Sequence, residues 1–221
     1  MNLVSFLPSV SRRKALPRQV LSSSWNDRNQ ILSPEVNFYC WKRVPDQQVS
    51  SYLASLVTDG VPLVKSSYTQ YSLPSLIQEV KSSLSNFDCA GSDFFWTDVQ
   101  KIASDFLTMT EMSTAILHFK TTDSNECSKF HTDRYRLRLF STLVGKGTQW
   151  LPERATNRNG LGKMNGNIVK DPSMIEHMEA YDVGILKGDP HGQKGRSTGI
   201  VHRSPQVRTL AERRLILRID A

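Results

Sequence analysis

The hydrophobic period of this chain changes near residue 113, and that change limits the folds open to it. Before it, apolar residues recur at helical spacing: Val49, Leu53, Leu56 and Val57; Leu73, Leu76, Ile77, Val80 and Leu84; Phe95, Val99, Ile102, Ala103 and Phe106. These stripes predict helices from Asp46 through Val57, from about Pro74 to Leu84 and from Ser92 to Thr108, each burying one face. Val36 to Arg43, β-branched and aromatic between Pro34 and Pro45, predicts a strand ahead of them. Beyond Ser113 come short strand candidates: Ala115 to Thr121, Tyr135 to Val144, Gly147 to Leu151, Val183 to Lys187, Gly199 to His202 and Arg213 to Asp220. Helices followed by strands predict an α+β protein whose C-terminal half is a sandwich or barrel. The polar stretch from Pro152 to Asp171 predicts a long loop, of the kind that serves as a lid or binding loop.

Charge is unevenly spread along the 221 residues. The chain carries 28 Lys+Arg against 21 Asp+Glu, a formal charge of +7. Arg12, Arg13, Lys14, Arg18 and Arg28 stand against Asp27 alone in the first 30 residues, which reads as a mobile basic arm (1–30) ahead of a single domain (31–221). Within that domain, 31–112 reads as mainly helical and 113–221 as the β part. An Arg- and Ser-rich, acid-poor start also resembles an organelle transit segment; a cytoplasmic location is the simpler expectation. No apolar run approaches the roughly 18 residues that a spanning helix needs. Three widely spaced cysteines, Cys40, Cys89 and Cys127, without a Cys-x-x-Cys, exclude a disulfide scaffold and a zinc finger. Cys40 reads as a small core residue.

Five histidines are present, and three have an ordinary structural reading: His118 alternates within a strand, His177 lies in a short helix and His191 in a Gly-rich loop. His131 and His202 carry more. His131 and Asp133 form a His-x-Asp pair ahead of a strand, and in extended chain residues i and i+2 point to one side. A second imidazole from a distant strand, His202, completes a set of two His and one carboxylate. Such a set leaves three positions open on an octahedral metal, which suits Fe(II) and oxygen chemistry. Alternation in the last strand puts Arg213, Leu215, Leu217 and Ile219 on one face. If the apolar set faces the barrel interior, Arg213 lies inside at its end, where a guanidinium calls for a carboxylate held through two hydrogen bonds.

His131-x-Asp133, His202 and Arg213 together resemble the pattern of Fe(II)/2-oxoglutarate dioxygenases. The resemblance runs from about Ser113 to Ala221. It implies a double-stranded β-helix (jelly-roll) with helices packed on one sheet. It further implies iron held by His131, Asp133 and His202, the distal carboxylate of 2-oxoglutarate held by Arg213, and hydroxylation of a substrate C–H bond. Arg138 or Thr142 on the adjacent strand is expected to help hold the cosubstrate. The second glycine common in the following strand is Thr148 here. A wider resemblance, carried by Asn37 to Arg43, Cys127 to Asp133, Gly147 to Pro152, Leu186 to Gly188 and His202 to Pro205, is to an uncharacterised bacterial family. That family is labelled domain of unknown function eighteen-twenty-six, and its members tend to lie near zinc-homeostasis genes.

Two other readings use the same residues. Cys127, His131, Asp133 and His202 could form a four-coordinate zinc site, giving a zinc-binding protein or a hydrolase. Nine cations between Ser128 and Lys170 (Lys129, Arg134, Arg136, Arg138, Lys146, Arg154, Arg158, Lys163 and Lys170) face only Asp133 and Glu153. With Tyr135, Phe140 and Trp150 interleaved, they could hold single-stranded nucleic acid. A basic rim around a site for a small anionic molecule or a protein substrate is preferred to that nucleic-acid reading. No Gly-x-Ser-x-Gly elbow is present for a nucleophilic enzyme.

Overall fold

The computed structural model describes residues 16–221 apart from 87, 125–126, 190–196, 208 and 210–211. The expected loop histidine, His191, therefore lies outside the described residues. Two sheets organise the chain. The larger contains β1 (Arg18–Ser22), β2 (Val36–Trp41), β3 (Val64–Tyr68), β4 (Ala115–Thr122), β5 (Leu137–Val144), β8 (Val183–Lys187) and β10 (Arg214–Asp220), in the order β1-β2-β8-β5-β10-β4-β3. All its pairs are antiparallel except β1 with β2. The smaller is β7-β6-β9, from β6 (Gln149–Leu151), β7 (Glu176–His177) and β9 (Val201–Arg203).

Three consecutive helices follow the expected stripes closely: α1 (Gln47–Asp59), α2 (Leu73–Ser82) and α3 (Ala90–Thr110). Asp46 caps α1, its carboxylate accepting from the Val49 N–H at 2.8 Å. The buried residues of these helices form one core with Leu137, Leu139 and Leu143 of β5, Val183 and Ile185 of β8, and Leu215, Leu217 and Ile219 of β10. The helices therefore cover one face of the larger sheet. The other face meets the smaller sheet through Phe38, Cys40, Leu186, Trp150, Met178 and Ile200. Cys40 is a core residue as expected, and burial pushes its thiol up to about 12.

Three expectations are corrected. The segment 1–30 is not wholly an arm, because residues 18–22 are a sheet strand and a 3-10 helix runs from Trp25 to Leu32. Trp25 is buried against Tyr39 and Trp41, and its Nε1–H donates to Asp105 Oδ2 at 2.8 Å. The basic residues concealed this, because Arg18 and Arg28 sit at the rim while single apolar residues between them point inward. The stretch from Pro152 to Asp171 is no open lid either. It folds into 3-10 turns and the short α4 (Asn165–Ile168), and packs Ala155 and Ile168 with Phe130, Leu151 and Val201. His177, expected in a short helix, instead stands exposed in β7, drawn into the smaller sheet by its pairing with Gln149. β3, whose sequence is mostly polar, has no counterpart in the sequence reading because it is an edge strand with Tyr68 alone fully buried.

Trp25 separates an arm from a folded element by energy. Trp25→Ala is expected to cost about 3–5 kcal/mol in urea unfolding, the usual range for removing a buried aromatic; a cost below about 0.5 kcal/mol would mean that this segment does not belong to the fold.

A second test concerns His118, buried on β4, whose pKa falls to about 4 through burial first and then the nearby Arg218 charge. The neutral form is favoured in the folded chain. Its contribution to stability is thus complete above about pH 6.5 and is lost as pH falls toward 4, at most about 3 kcal/mol over that window. Melting curves of His118→Gln should show a correspondingly flatter pH dependence between pH 4 and 6.5. Parallel wild-type and variant curves would contradict it.

Candidate metal centre

The site is built on a two-way backbone bridge. The His131 N–H donates to the His202 carbonyl at 3.0 Å, and the His202 N–H donates to the His131 carbonyl at 2.9 Å. A closely hydrogen-bonded antiparallel pair sets its two side chains beside each other on one face. The ring centroids lie 4.6 Å apart. Two residues on, Asp133 comes to the same place: Oδ1 is 3.7 Å from His131 Nε2, and Oδ2 is 3.4 Å from His202 Nε2. Ligand atoms of these three residues all lie within 4.8 Å of one another, the one such group among the described residues.

Each imidazole is aimed by its other nitrogen. His131 Nδ1 lies 2.8 Å from the Lys129 carbonyl, and His202 Nδ1 lies 3.2 Å from that of Ile200. A carbonyl can only accept, so Nδ1 carries a proton in both rings and each Nε2 is turned toward Asp133. This is the outer-shell pattern of metal-ligating histidine. Asp133 Oδ2 is buried and has no hydrogen-bond partner. A buried carboxylate with one oxygen left unpartnered, set against two imidazole Nε2 atoms, is the arrangement a divalent cation resolves. The residues present thus fit a metal.

Charge around the triad is set by Arg138. Its Nη1 donates to Asp133 Oδ1 and its Nε donates to Asp220 Oδ1, each at 2.6 Å. Burial acts against the Asp133 carboxylate, but its contact with His131 and the Arg138 guanidinium outweigh this and hold it well below the usual range. His202 is lowered to about 4, chiefly by its burial. For His131, burial is more than offset by Asp133 and the Lys129 carbonyl, and the net direction is upward.

Two features that the sequence did not announce hold the ligand-bearing segments. Asn165 of α4 accepts from the Phe130 N–H through Oδ1 at 2.7 Å and donates to the Ser128 carbonyl at 3.2 Å, fixing the backbone before His131. Arg158, paired with Glu153 at 2.8 and 2.6 Å, donates to the Gly199 carbonyl at 3.0 Å, just ahead of β9. The excursion 152–171 therefore braces both sides of the bridge. Gly188 matters equally: a Cβ there would meet the Tyr135 carbonyl oxygen at 2.1 Å and that of Asp133 at 2.6 Å. That close approach lets the Asp189 N–H reach the Asp133 carbonyl at 2.7 Å. The Asp189 carboxylate accepts in turn from the Thr198 and Gly199 N–H groups at 2.9 and 3.0 Å.

Above the triad lies a cavity of about 60 Å³, room for several waters. It is lined by His131, His202, Cys127, Arg138, Phe140, Arg214, Ile216 and Arg218, among others. Arg213 is not there. It lies just before β10 on a separate groove with Lys146 and Glu212. The expected phase of β10 is reversed because Leu215, Leu217 and Ile219 face the helices, which gives the cavity the charged alternation Arg214, Ile216 and Arg218. Arg214 is 2 % exposed.

Three other expected residues also occupy altered roles. Arg138 lines the cavity, but its guanidinium is engaged by Asp133 and Asp220. Thr142 is fully buried on the same sheet side, opposite Ile216, and is not part of the described wall. Cys127 lines the cavity, yet it falls outside the ligand group. Its backbone is left-handed (φ 57°), and its carbonyl accepts from the Ser204 N–H at 3.0 Å. The four-ligand zinc site is thus not assembled. Of the basic run, Arg134 and Arg136 are exposed ahead of β5, while Arg138 and Arg158 turn inward to acids.

The chain belongs to the family described as "Protein of unknown function (DUF1826)", whose model matches residues 22–220. No curated protein matches it in sequence. Among solved structures, the backbone is similar to a rice dioxygenase for auxin oxidation, with 11% identity, TM-score 0.48, and coverage of 93% of this chain and 82% of that one. It is also similar to the Fe(II)/(alpha)ketoglutarate-dependent dioxygenase TqaL, with 11% identity, TM-score 0.41, and coverage of 80% and 75%. A full-length Neurospora crassa protein, solved in complex with alpha-KG and 5-formyluracil, gives 9% identity, TM-score 0.41, and coverage of 96% and 86%. At such identities no side-chain role transfers from these proteins.

Because Arg138 answers two buried carboxylates at once, Arg138→Gln is expected to destabilise the metal-free protein by about 3–5 kcal/mol in denaturant unfolding. A change below about 1 kcal/mol would show that Asp133 and Asp220 do not depend on it.

Proposed function

We propose that this protein is an Fe(II)- and 2-oxoglutarate-dependent oxygenase, its two sheets forming a double-stranded β-helix, that hydroxylates a C–H bond of an anionic substrate. The observation that carries this reading is the donor set: two inward Nε2 atoms and one carboxylate within 4.8 Å. Three protein ligands leave three positions on a six-coordinate ion, whereas a closed structural zinc site takes four ligands. Bound Fe(II) supplies oxygen activation coupled to decarboxylation of the 2-oxo acid.

The chain's own residues prepare that chemistry. Arg138 keeps the Asp133 carboxylate ionised and fixes Oδ1, leaving Oδ2 for the metal. Arg214, buried at the start of β10, takes the role that the sequence assigned to Arg213 and binds the distal carboxylate through its planar fork. Phe140, Leu186 and Ile216 give the cavity an apolar wall that limits water around the reacting carbon.

Protein prepared without oxygen is expected to hold about one Fe(II) per chain and to release succinate from 2-oxoglutarate. Arg214→Gln should raise the KM for 2-oxoglutarate at least tenfold, with Arg213→Gln within twofold of wild type. Stoichiometric metal in a His131→Ala, His202→Ala double variant would overturn the reading. So would Arg213→Gln proving the more damaging of the two arginine changes.

A further inference from the structure

We infer that the cavity contains a second anion subsite, at Arg218, that takes a carboxylate or phosphate-type group of a small substrate; this deepens the oxygenase reading and rests on it. The first support is spacing. On β10, Arg214 and Arg218 share the cavity face with Ile216 between them. Four residues of strand span about 13 Å. A five-carbon dicarboxylate that keeps its 2-oxo end at the metal ligands and its far end at Arg214 leaves Arg218 to another anion.

The second support is charge. The Asp220 carboxylate answers two guanidiniums: Oδ1 accepts from Arg138 at 2.6 Å, and Oδ2 lies 3.2 Å from Arg218 Nε. Arg138 is otherwise balanced by Asp133, which a bound metal draws on. With the metal in place, two guanidiniums at this end therefore face one free carboxylate, an excess of positive charge that a bound anion offsets. The neighbouring strands add none. His118, opposite Arg218 on β4, is neutral, and Lys65, opposite His118 on β3, extends the cationic row to the sheet edge.

The third support is access and shape. The Arg218 side chain is 30% exposed and lines the cavity, and its buried Nε, though in ion-pair range of Asp220, makes no hydrogen bond. Its Nη2 lies against His118, 2.9 Å from Nε2. On the other side, Phe140 of β5 is paired with Arg218 and presents an apolar surface to the same cavity. A small molecule with an anionic group beside an apolar body matches this pairing: the anion at Arg218 and the carbon skeleton against Phe140, next to the metal ligands.

The test uses the full chain loaded with Mn(II) and N-oxalylglycine, an unreactive isostere of 2-oxoglutarate. Inorganic phosphate and acetate are titrated as separate probes by calorimetry. At least one should bind with 1:1 stoichiometry, and Arg218→Gln should weaken it tenfold or more. N-oxalylglycine affinity should change less than twofold in Arg218→Gln and at least tenfold in Arg214→Gln. Arg218→Lys, which keeps the charge and the contact with Asp220, should retain most of the probe affinity and serves if the Gln variant does not fold. Which probe binds more tightly separates a phosphate-bearing from a carboxylate-bearing substrate.

Unaltered probe binding in Arg218→Gln, no binding of either probe, or equal loss of N-oxalylglycine affinity in both arginine variants would overturn the subsite. A random single-stranded oligonucleotide that displaces the probe, with affinity lost in Arg218→Gln, would also overturn it in favour of nucleic acid. Failure of N-oxalylglycine to bind the metal-loaded wild type would instead count against the oxygenase reading, and the probe titrations would still decide the role of Arg218.

Discussion

Two backbone hydrogen bonds between His131 and His202 govern the rest of the site. They join residues 71 positions apart into a single antiparallel bridge, and that bridge sets the imidazoles side by side. Asp133 follows from it, because alternation in extended chain brings residue 133 to the face of residue 131. Everything braced around these segments preserves that one register. Asn165 ties down the approach to His131, Asp189 and Arg158 tie down the approach to β9, and Gly188 gives the backbone room beside Asp133. A slip by one residue would turn His202 away from His131 and Asp133.

The division of the larger sheet into two faces explains where the polar residues are. One face is spent on helices, and it takes the apolar alternation of β5, β8 and β10. The opposite face carries Arg138, Arg214, Arg218 and Asp220, charged groups whose burial is tolerated because they answer one another or a ligand. The triad's cavity lies on the less apolar face because the helices have already claimed the other. The excursion 152–171 then closes the site from the side with its own small core.

Much of this was legible in the sequence. The helical stripes gave three helices to within two residues, since a 3.6-residue period over ten or more positions is a strong signal. His-x-Asp and the distal His202 marked the three residues that the fold brings together, because their residue types and the extended-chain geometry are local properties. The phase of β10 was not legible, as it depends on which face the helices cover. Alternation identifies two faces and cannot say which one looks inward. The same tertiary dependence hid β1 and β3, which lie at the sheet edges and carry mostly polar residues. It also hid the packing of 152–171, whose few apolar residues are spaced irregularly between glycines and asparagines. Cys127 looked like a ligand from its nearness in sequence to His131, yet it falls outside the group of ligand atoms that the fold brings together.

X-ray absorption on Fe(II)-loaded protein tests the centre most directly. The account predicts a six-coordinate iron surrounded by nitrogen and oxygen only, with scattering from two imidazoles. A sulfur neighbour at about 2.3 Å, the distance of a metal–thiolate bond, would place Cys127 in the coordination sphere and contradict it.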